Sequence, residues 1–370
     1  MRILQVITLG LEIYGAQRHV LDLCTLLKND GHEVKVVVGT AGRVTEILTQ
    51  QGIDFVVLPR LKREIDPISD IKCIGDLRKV YTEFAPDLVA SHSSKAGILA
   101  RVACYLSGIP NTFTAHGWSF EEGIPFLKRT IFLNIERLAG RFSDRIIAVA
   151  NTGRDLGLKH KVAPPEKLVT IWNGAEDKGA QFQKEKQDVF TMTMVAGFRK
   201  QKDHATLIDA LAQLKDDTWQ LFLLGNGELM EDMKTKVIEN GLGDRIFFEG
   251  AVSDVPSYLN KTDLMLLITN WEGLPISILE GLSFSLPVVA SDVSGVREEV
   301  FDRHNGLLVE RGNVNQTKEA LKELMDNPDL IEEYGRNSRL LFKEKFTREA
   351  MYEQTKSVYE EIIASKNSSP

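Results

Sequence analysis

The chain has 370 residues, of which 43% are hydrophobic and 26% are charged, and its formal net charge is −7. This length predicts two domains, and neither half is basic enough to indicate a nucleic-acid-binding protein. The three cysteines, Cys24, Cys73 and Cys104, are widely spaced and odd in number. They argue against a disulfide framework or a zinc knuckle and for a reducing compartment. We expect a cytoplasmic protein, because the N-terminus lacks a signal-peptide pattern and no run reaches the length of a membrane span.

The first half of the chain alternates short apolar runs with amphipathic segments, which is typical of parallel strands joined by helices. Predicted strands cover residues 3–7, 33–38, 54–58, 88–91, 111–114, 146–150 and 169–172, and predicted helices cover 15–28, 70–84 and 96–107, with a further helix beginning at residue 151. Gly10 and Gly15 do not match G-x-G-x-x-G. The first half is therefore Rossmann-like but lacks a dinucleotide fingerprint.

Two histidines follow predicted strands in this half. His92 opens the segment His92-Ser93-Ser94-Lys95-Ala96-Gly97, and His116 opens His116-Gly117-Trp118. Ligand-binding side chains gather at the carboxyl ends of parallel strands. A single histidine is more often structural, but two at equivalent strand ends favour a functional pair.

The segment 124–141 interleaves apolar residues with Lys128, Arg129 and Arg137. This pattern is typical of an amphipathic helix that rests on a membrane surface. The mildly basic charge of the first half would suit an anionic leaflet, and ordinary variation of surface charge explains it equally well. A helix packed on the core explains the same pattern, and we slightly favour that interpretation.

A polar segment, residues 176–188, predicts the linker to a second domain. Predicted strands then cover residues 190–196, 220–224, 246–249, 264–268, 288–290 and 306–309, and predicted helices cover 204–215, 254–259, 314–325, 330–346 and 349–366. Arg199 and Lys202 follow the first of these strands, where cations suit a diphosphate leaving group.

The segment 270–281 follows a buried strand and contains Glu272-Gly273-Leu274-Pro275 and, further on, Glu280. It predicts a glycine turn that leads into a helix, whose N-terminal N–H groups favour an anion. Glu272 and Glu280 would lie roughly 10 Å apart along the helix, and ionised carboxylates accept hydrogen bonds from sugar hydroxyls. An amphipathic helix with two incidental glutamates explains the spacing equally well.

These two glutamates, with Leu286-Pro287-Val288-Val289-Ala290-Ser291-Asp292 and Gly295, resemble the signature of retaining glycosyltransferases of family four. The resemblance covers essentially the whole chain. It implies the GT-B fold, an α/β architecture of two facing Rossmann-like domains with the donor in the interdomain cleft. We expect the first domain at 1–175, the second at 176–348, and a C-terminal helix, about 349–370, that packs back on the first. The Ser-Ser-Lys-Ala-Gly and His-Gly-Trp segments resemble those of the family branch that builds bacterial capsule, exopolysaccharide or lipid-linked glycans.

The resemblance also implies roles for individual residues. His116 would contact the donor sugar, Glu272 would hold its hydroxyls, and Lys202 and Arg199 would bind the diphosphate. Arg199 stands two residues after the family's usual arginine position, which Gly197 occupies here. The other expected donor-binding residues are Gly15, Val252, Gly273, Leu274, Pro275 and Glu280. The expected acceptor residues are His92, Ser94, Lys95 and Trp118.

The predicted reaction is a metal-independent retaining transfer of a hexose or N-acetylhexosamine, with no cofactor and a UDP-sugar as substrate. The acceptor would be a polyprenyl-diphosphate-linked saccharide at the inner face of the plasma membrane. Two other classes stay open. A sugar-nucleotide epimerase would convert the donor without any acceptor, and a non-catalytic scaffold would bind UDP but release none from a donor.

Overall fold

The computed structural model describes residues 1–11, 13–120, 125–183, 185 and 187–367. Single residues of the predicted loop 8–14 and linker 176–188 lie outside this part of the chain, as do the first residue of the predicted helix 124–141 and the last three of the helix 349–370. The described chain divides into two compact units. Unit 1 comprises Met1–Asn173 and Arg348–Pro370, and unit 2 comprises Gly174–Thr347.

Unit 1 is built on a parallel sheet that has seven strands in the described residues. They are β1 (Arg2–Ile7), β2 (Glu33–Val38), β3 (Asp54–Val57), β4 (Leu88–His92), β5 (Asn111–Ala115), β6 (Arg145–Ala148) and β7 (Leu168–Thr170). Their order is β3-β2-β1-β4-β5-β6-β7. The strand order therefore reverses between β1 and β4, and ligands bind at such a reversal in open α/β sheets.

Helices cover this sheet, which is why its central strands are apolar on both faces. They are α1 (Gly15–Asn29), α2 (Arg43–Gln50), α3 (Pro67–Phe84), α4 (Ser94–Ser107), α5 (Phe126–Gly140), α6 (Asn151–Lys159) and, from the far end of the chain, α13 (Arg348–Asn367). Tyr359 and Ile362 of α13 pack in the same buried cluster as Ile3 of β1 and Val20 of α1. The last helix is therefore part of the core of unit 1.

A fully buried ion pair joins α4 to α5. Arg101 Nη2 donates to Glu136 Oε2 at 2.8 Å, and neither side chain is more than 1% exposed. Arg101 also donates from Nε to the Gly97 carbonyl at 2.8 Å and lies 4.2 Å above the ring of Phe113. These contacts hold α5 against the sheet, because an unpaired buried charge would be strongly destabilising.

Unit 2 has a second all-parallel sheet with the order β10-β9-β8-β11-β12-β13 in the described residues. The strands are β8 (Phe190–Val195), β9 (Trp219–Leu224), β10 (Ile246–Gly250), β11 (Leu264–Leu267), β12 (Val288–Ser291) and β13 (Gly306–Val309). The helices are α7 (His204–Leu211), α8 (Met230–Glu239), α9 (Val255–Leu259), α10 (Ile276–Ser283), α11 (Val314–Asp326) and α12 (Pro328–Lys345). Two parallel, Rossmann-like halves confirm the predicted fold class.

Three features differ from the predictions. Helix α2 was not predicted, helix α7 ends at Leu211 and not at residue 215, and His92 is the last residue of β4 and not the first residue after it. Among the described residues, the helices are all too short or too polar to cross a bilayer.

Candidate functional site

Unit 1 places three histidines together at the point where its strand order reverses. His92 ends β4 beside Ile7 of β1, His116 follows β5, and His19 lies on α1. The ring centroid of His116 lies 4.7 Å from that of His19 and 5.4 Å from that of His92. We call these three side chains the histidine cluster.

Hydrogen bonds connect the cluster to two amide side chains. Gln5 Oε1 lies 2.8 Å from His92 Nε2, and His92 Nδ1 lies 3.2 Å from His116 Nε2. His19 Nδ1 lies 3.1 Å from the Oδ1 of Asn173. Gln5 and His92 meet because Gln5 shares a face of β1 with Ile7, the residue that pairs with His92.

The histidine cluster is uncharged at neutral pH. Burial lowers the pKa of His19 to about 4, against the hydrogen bond to Asn173, which acts in the opposite direction. Burial, reinforced by the neighbouring imidazoles, holds the pKa of His92 and of His116 well below the usual range. Neutral imidazoles can each donate one proton and accept one, or bind a metal ion.

One ligand atom from each of the three histidines lies within 4.8 Å of the others, which is close enough to approach a metal ion. The sequence predicted no metal site. However, the nitrogens that face each other in His92 and His116 are at hydrogen-bond distance. The proton of that bond would occupy the space and the lone pair that a metal ion requires.

The residues predicted to bind the acceptor do not form one surface, and two of them must be corrected. His92 is fully buried and both of its nitrogens have hydrogen-bond partners. Trp118 is 4% exposed and donates from Nε1 to the Gly153 carbonyl at 2.7 Å, within an aromatic cluster with Phe113 and Phe120. Both side chains are therefore part of the interior. The pattern of strand ends in the sequence predicts which residues come together but not which of them remain accessible.

The other predicted residues of unit 1 lie nearer the surface. Ser94 is the first residue of α4, and Lys95 forms an ion pair with Asp70 of α3. Gly15 is exposed and opens α1, with Tyr14 at the N-cap. Their predicted roles stay predictions.

In unit 2, Lys202 and Glu272 form an ion pair between Lys202 Nζ and Glu272 Oε1. Lys202 belongs to the loop between β8 and α7, and Glu272 to the loop between β11 and α10. The two loops meet because β8 and β11 are neighbouring parallel strands, where the order of the second sheet reverses. The Thr269 hydroxyl donates to Glu272 Oε1 at 2.7 Å, and Gln201 Nε2 lies 3.3 Å from Oε2.

Two glycines bring the loop of Glu272 close to the following segment. A Cβ atom on Gly295 would lie 1.6 Å from the carbonyl oxygen of Gly273, which no side chain allows. Leu274 and Pro275 are buried. Pro275 is the N-cap of α10 and therefore directly precedes its first turn. Glu280 lies in the same helix and is partly exposed.

The remaining predicted residues of unit 2 occupy loops at the same ends of their strands. Arg199 lies in the loop that also carries Lys202, and Val252 follows β10. The structure thus brings Lys202 into contact with Glu272 and places Arg199 in the same loop as Lys202.

Sequence reasoning missed Glu299, which is fully buried behind this site. Neither of its carboxylate oxygens has a hydrogen-bond partner among the described residues. Burial raises its pKa well above the usual range, and the negative charge of Glu272 raises it further. Burial therefore favours the neutral form of Glu299. Nothing in the sequence Arg297-Glu298-Glu299 distinguishes it from an exposed acid.

Comparison with known proteins extends over both units. Residues 13–178 match the family model "Glycosyltransferase Family 4", and residues 176–341 match "Glycosyl transferases group 1". The chain belongs to the GT-B glycosyltransferases. It is accordingly an enzyme, and the predicted membership of a GT-B glycosyltransferase family is confirmed.

Individual relatives of this glycosyltransferase are distant in sequence but match most of its length. A UDP-Gal:alpha-D-GlcNAc-diphosphoundecaprenol alpha-1,3-galactosyltransferase from Escherichia coli is 28% identical over 95% of both chains. CapM, a capsular polysaccharide biosynthesis glycosyltransferase from Staphylococcus aureus, is 24% identical over 83% of this chain and 85% of its own. Anabaena HepE, solved in complex with UDP and glucose, matches 97% of this chain and 99% of its own with a TM-score of 0.84 at 18% identity, which shows the shared fold.

Proposed function

We propose that this glycosyltransferase moves a hexose or an N-acetylhexosamine from a UDP-sugar to a polyprenyl-diphosphate-linked saccharide, with retention of configuration and without a metal ion. The donor is supported by the name of the Escherichia coli relative and by the UDP found in HepE. The acceptor is supported by the same relative, whose name gives a sugar on diphosphoundecaprenol as its substrate.

The observation that carries the proposal is the Lys202–Glu272 ion pair next to the start of α10. When the diphosphate departs, negative charge develops on its oxygens. Lys202, Arg199 and the N-terminal N–H groups of α10 would stabilise that charge. Glu272 would orient Lys202 and accept hydrogen bonds from the sugar hydroxyls, and Glu280 would accept them from the ribose.

Retention follows if the acceptor hydroxyl attacks from the face that the diphosphate leaves. A phosphate oxygen would accept the proton of that hydroxyl as the new glycosidic bond forms and the bond to the diphosphate breaks. The anomeric configuration of the product, measured by NMR, distinguishes this course from inversion.

Calorimetry with UDP, GDP and ADP tests the donor site. The wild type is expected to bind UDP selectively, and Glu280→Ala is expected to bind it about ten- to hundredfold more weakly, because hydrogen bonds to a charged acceptor contribute about 1.5–3 kcal/mol. Glu319→Ala, at an exposed position of α11, is the matched control and should bind as the wild type does. Selective binding of GDP or ADP would contradict the UDP donor, and no binding to a folded sample would contradict the transferase function proposed here.

The exposed face of α5 supports a membrane-bound acceptor. Phe126 is 84% exposed, Leu127 71% and Ile131 49%, and Lys128 is exposed among them. The opposite face, with Glu136 and Ala139, is buried. The helix is therefore packed on the core along one face only. Packing on the core explains the apolar residues of the buried face but not those of the exposed face.

Sedimentation with vesicles that contain phosphatidylglycerol tests this surface. Wild-type protein is expected to bind, and Phe126→Glu/Leu127→Glu is expected to reduce the partition coefficient at least tenfold, since burying one such side chain contributes about 1.5–3 kcal/mol. Leu340→Glu on α12, where the leucine is 66% exposed, is the control. Equal binding by both variants would contradict membrane docking through α5.

A further inference from the structure

The proton positions of two residues of the histidine cluster, His92 and His116, are fixed by a hydrogen-bonded chain of side chains that begins at Gln5. The chain runs from Gln5 through His92 to His116, with distances of 2.8 Å and 3.2 Å. A neutral imidazole carries one proton, so the partner of one nitrogen decides whether the other nitrogen donates or accepts. The orientation of the Gln5 amide therefore determines the tautomer of both histidines.

The surroundings of Gln5 indicate this orientation. Its side chain lies between His92 and Tyr359 of α13. Burial raises the pKa of the Tyr359 hydroxyl, and the neighbouring side chains of Gln5 and Thr112 act in the opposite direction. A neighbour has this effect when it donates to the phenolate oxygen.

Neither Gln5 Nε2 nor the Tyr359 hydroxyl has a hydrogen-bond partner within the described residues. The position of Gln5 Oε1, 2.8 Å from His92 Nε2, turns the amide nitrogen away from His92. His92 then donates from Nε2 to Gln5, and its Nδ1 accepts the Nε2 proton of His116.

The far end of the chain leads to the same assignment independently. His116 Nδ1 is buried and has no hydrogen-bond partner among the described residues. A buried N–H without an acceptor is rarer than a buried acceptor without a donor. Placing the proton of His116 on Nε2 leaves Nδ1 with a lone pair and avoids the less favourable arrangement.

We propose that Gln5, acting through His92, holds His116 in the tautomer that carries its proton on Nε2, and that Gln5 is thereby a positioning residue for sugar transfer. The tautomer follows from the contacts above, whereas its role in transfer rests on the proposed function, in which His116 contacts the transferred sugar. In this tautomer the Nε2 proton of His116 forms the bond to His92, which fixes the orientation of the imidazole ring.

Nitrogen-15 NMR of histidine-labelled, unliganded protein tests the tautomer directly. We expect the His116 Nδ1 resonance at the position of an unprotonated nitrogen and the Nε2 resonance at that of a protonated one, with His116→Gln identifying the signals. Gln5→Leu should convert this into a mixture of tautomers, whereas Gln5→Glu, which keeps an acceptor for His92, should retain it. A protonated Nδ1 in the wild type would overturn the assignment.

Transfer kinetics test the role of Gln5. Gln5→Leu is expected to lower kcat about ten- to hundredfold with a smaller change in the donor KM, in line with losses at other outer-shell partners of functional histidines, and Gln5→Glu should restore most of the activity. Thr112→Val, which changes the surroundings of Tyr359 and leaves the Gln5–His92 contact intact, is the matched control. Unchanged kcat in a Gln5→Leu protein with mixed tautomers would overturn the positioning role.

Failure of the proposed function and failure of the tautomer assignment give different experimental results. If no UDP-sugar supports transfer, the proposed function fails and the NMR result still decides the tautomer. If Zn²⁺ at one equivalent shifts the resonances of His19, His92 and His116 together, and chelation abolishes activity, the cluster is a metal site and the hydrogen-bonded chain is wrong.

Discussion

Glu272→Gln is expected to lower kcat about 10²–10³-fold while the protein stays folded. The carboxylate accepts from Lys202, from Thr269 and from Gln201. An amide of the same size has one acceptor oxygen and presents an N–H group to these donors. Lys202 would lose its charged partner and its fixed position, and losses of this size are typical when one preorganised electrostatic group is removed from an active site.

Steady-state kinetics on three further variants separate the roles of the pair. Glu319→Gln, on an exposed position of α11, should have wild-type activity. Lys202→Gln should lose activity to a similar extent, and the double variant should lose less than the product of the two single losses, because residues that act as a unit are not additive. Full activity in Glu272→Gln would show that neither its charge nor its contact with Lys202 serves transfer.

Arg101→Met is expected to lower the free energy of unfolding of unit 1 by about 3–5 kcal/mol. The substitution leaves the buried carboxylate of Glu136 without its cation, and removing one member of a buried ion pair has this cost. It also removes the hydrogen bond to Gly97. Urea denaturation, followed separately for each transition because two units need not unfold together, measures the loss.

Two comparisons make this prediction specific. Arg101→Met/Glu136→Leu should recover much of the loss, because an apolar pair of similar volume often replaces a buried ion pair without cost. Arg303→Met breaks the ion pair between Arg303, whose side chain is 64% exposed, and Glu323. It should change the free energy of unfolding by less than about 1 kcal/mol. Equal effects of Arg101→Met and Arg303→Met would mean that burial does not determine the strength of the Arg101–Glu136 pair.

The strands could be predicted from sequence because each is a short apolar run between glycines or polar turns. Strands β2 and β13 have the predicted boundaries. Helix α2 escaped prediction because it is only eight residues long and contains Val44, Thr45 and Thr49, whose β-branched side chains have low helix propensity. Its stability comes from burying Val44 and Leu48 in unit 1, which a local pattern does not show.

The candidate site was predictable where strand topology alone brings residues together. His92 ends β4 and His116 follows the neighbouring strand β5. Lys202 and Glu272 follow another neighbouring pair of strands, so the approach of both pairs could be inferred from the strand ends. His19 and Gln5 were missed because their contacts depend on how α1 is rotated on the sheet and on which face of β1 a side chain occupies. The burial of His92 and Trp118 depends on how the following segments fold over them.

Helix α13 completes the core of unit 1, although the whole of unit 2 separates it in sequence from the rest of that unit. During synthesis on a ribosome, residues 1–173 emerge before α13. The apolar surface that Tyr359 and Ile362 cover stays exposed to solvent until α13 has been synthesised. At about 5–20 residues per second this delay lasts on the order of ten seconds or more. Unit 2 has no such gap and can finish folding first, so nascent unit 1 is where a chaperone would be needed.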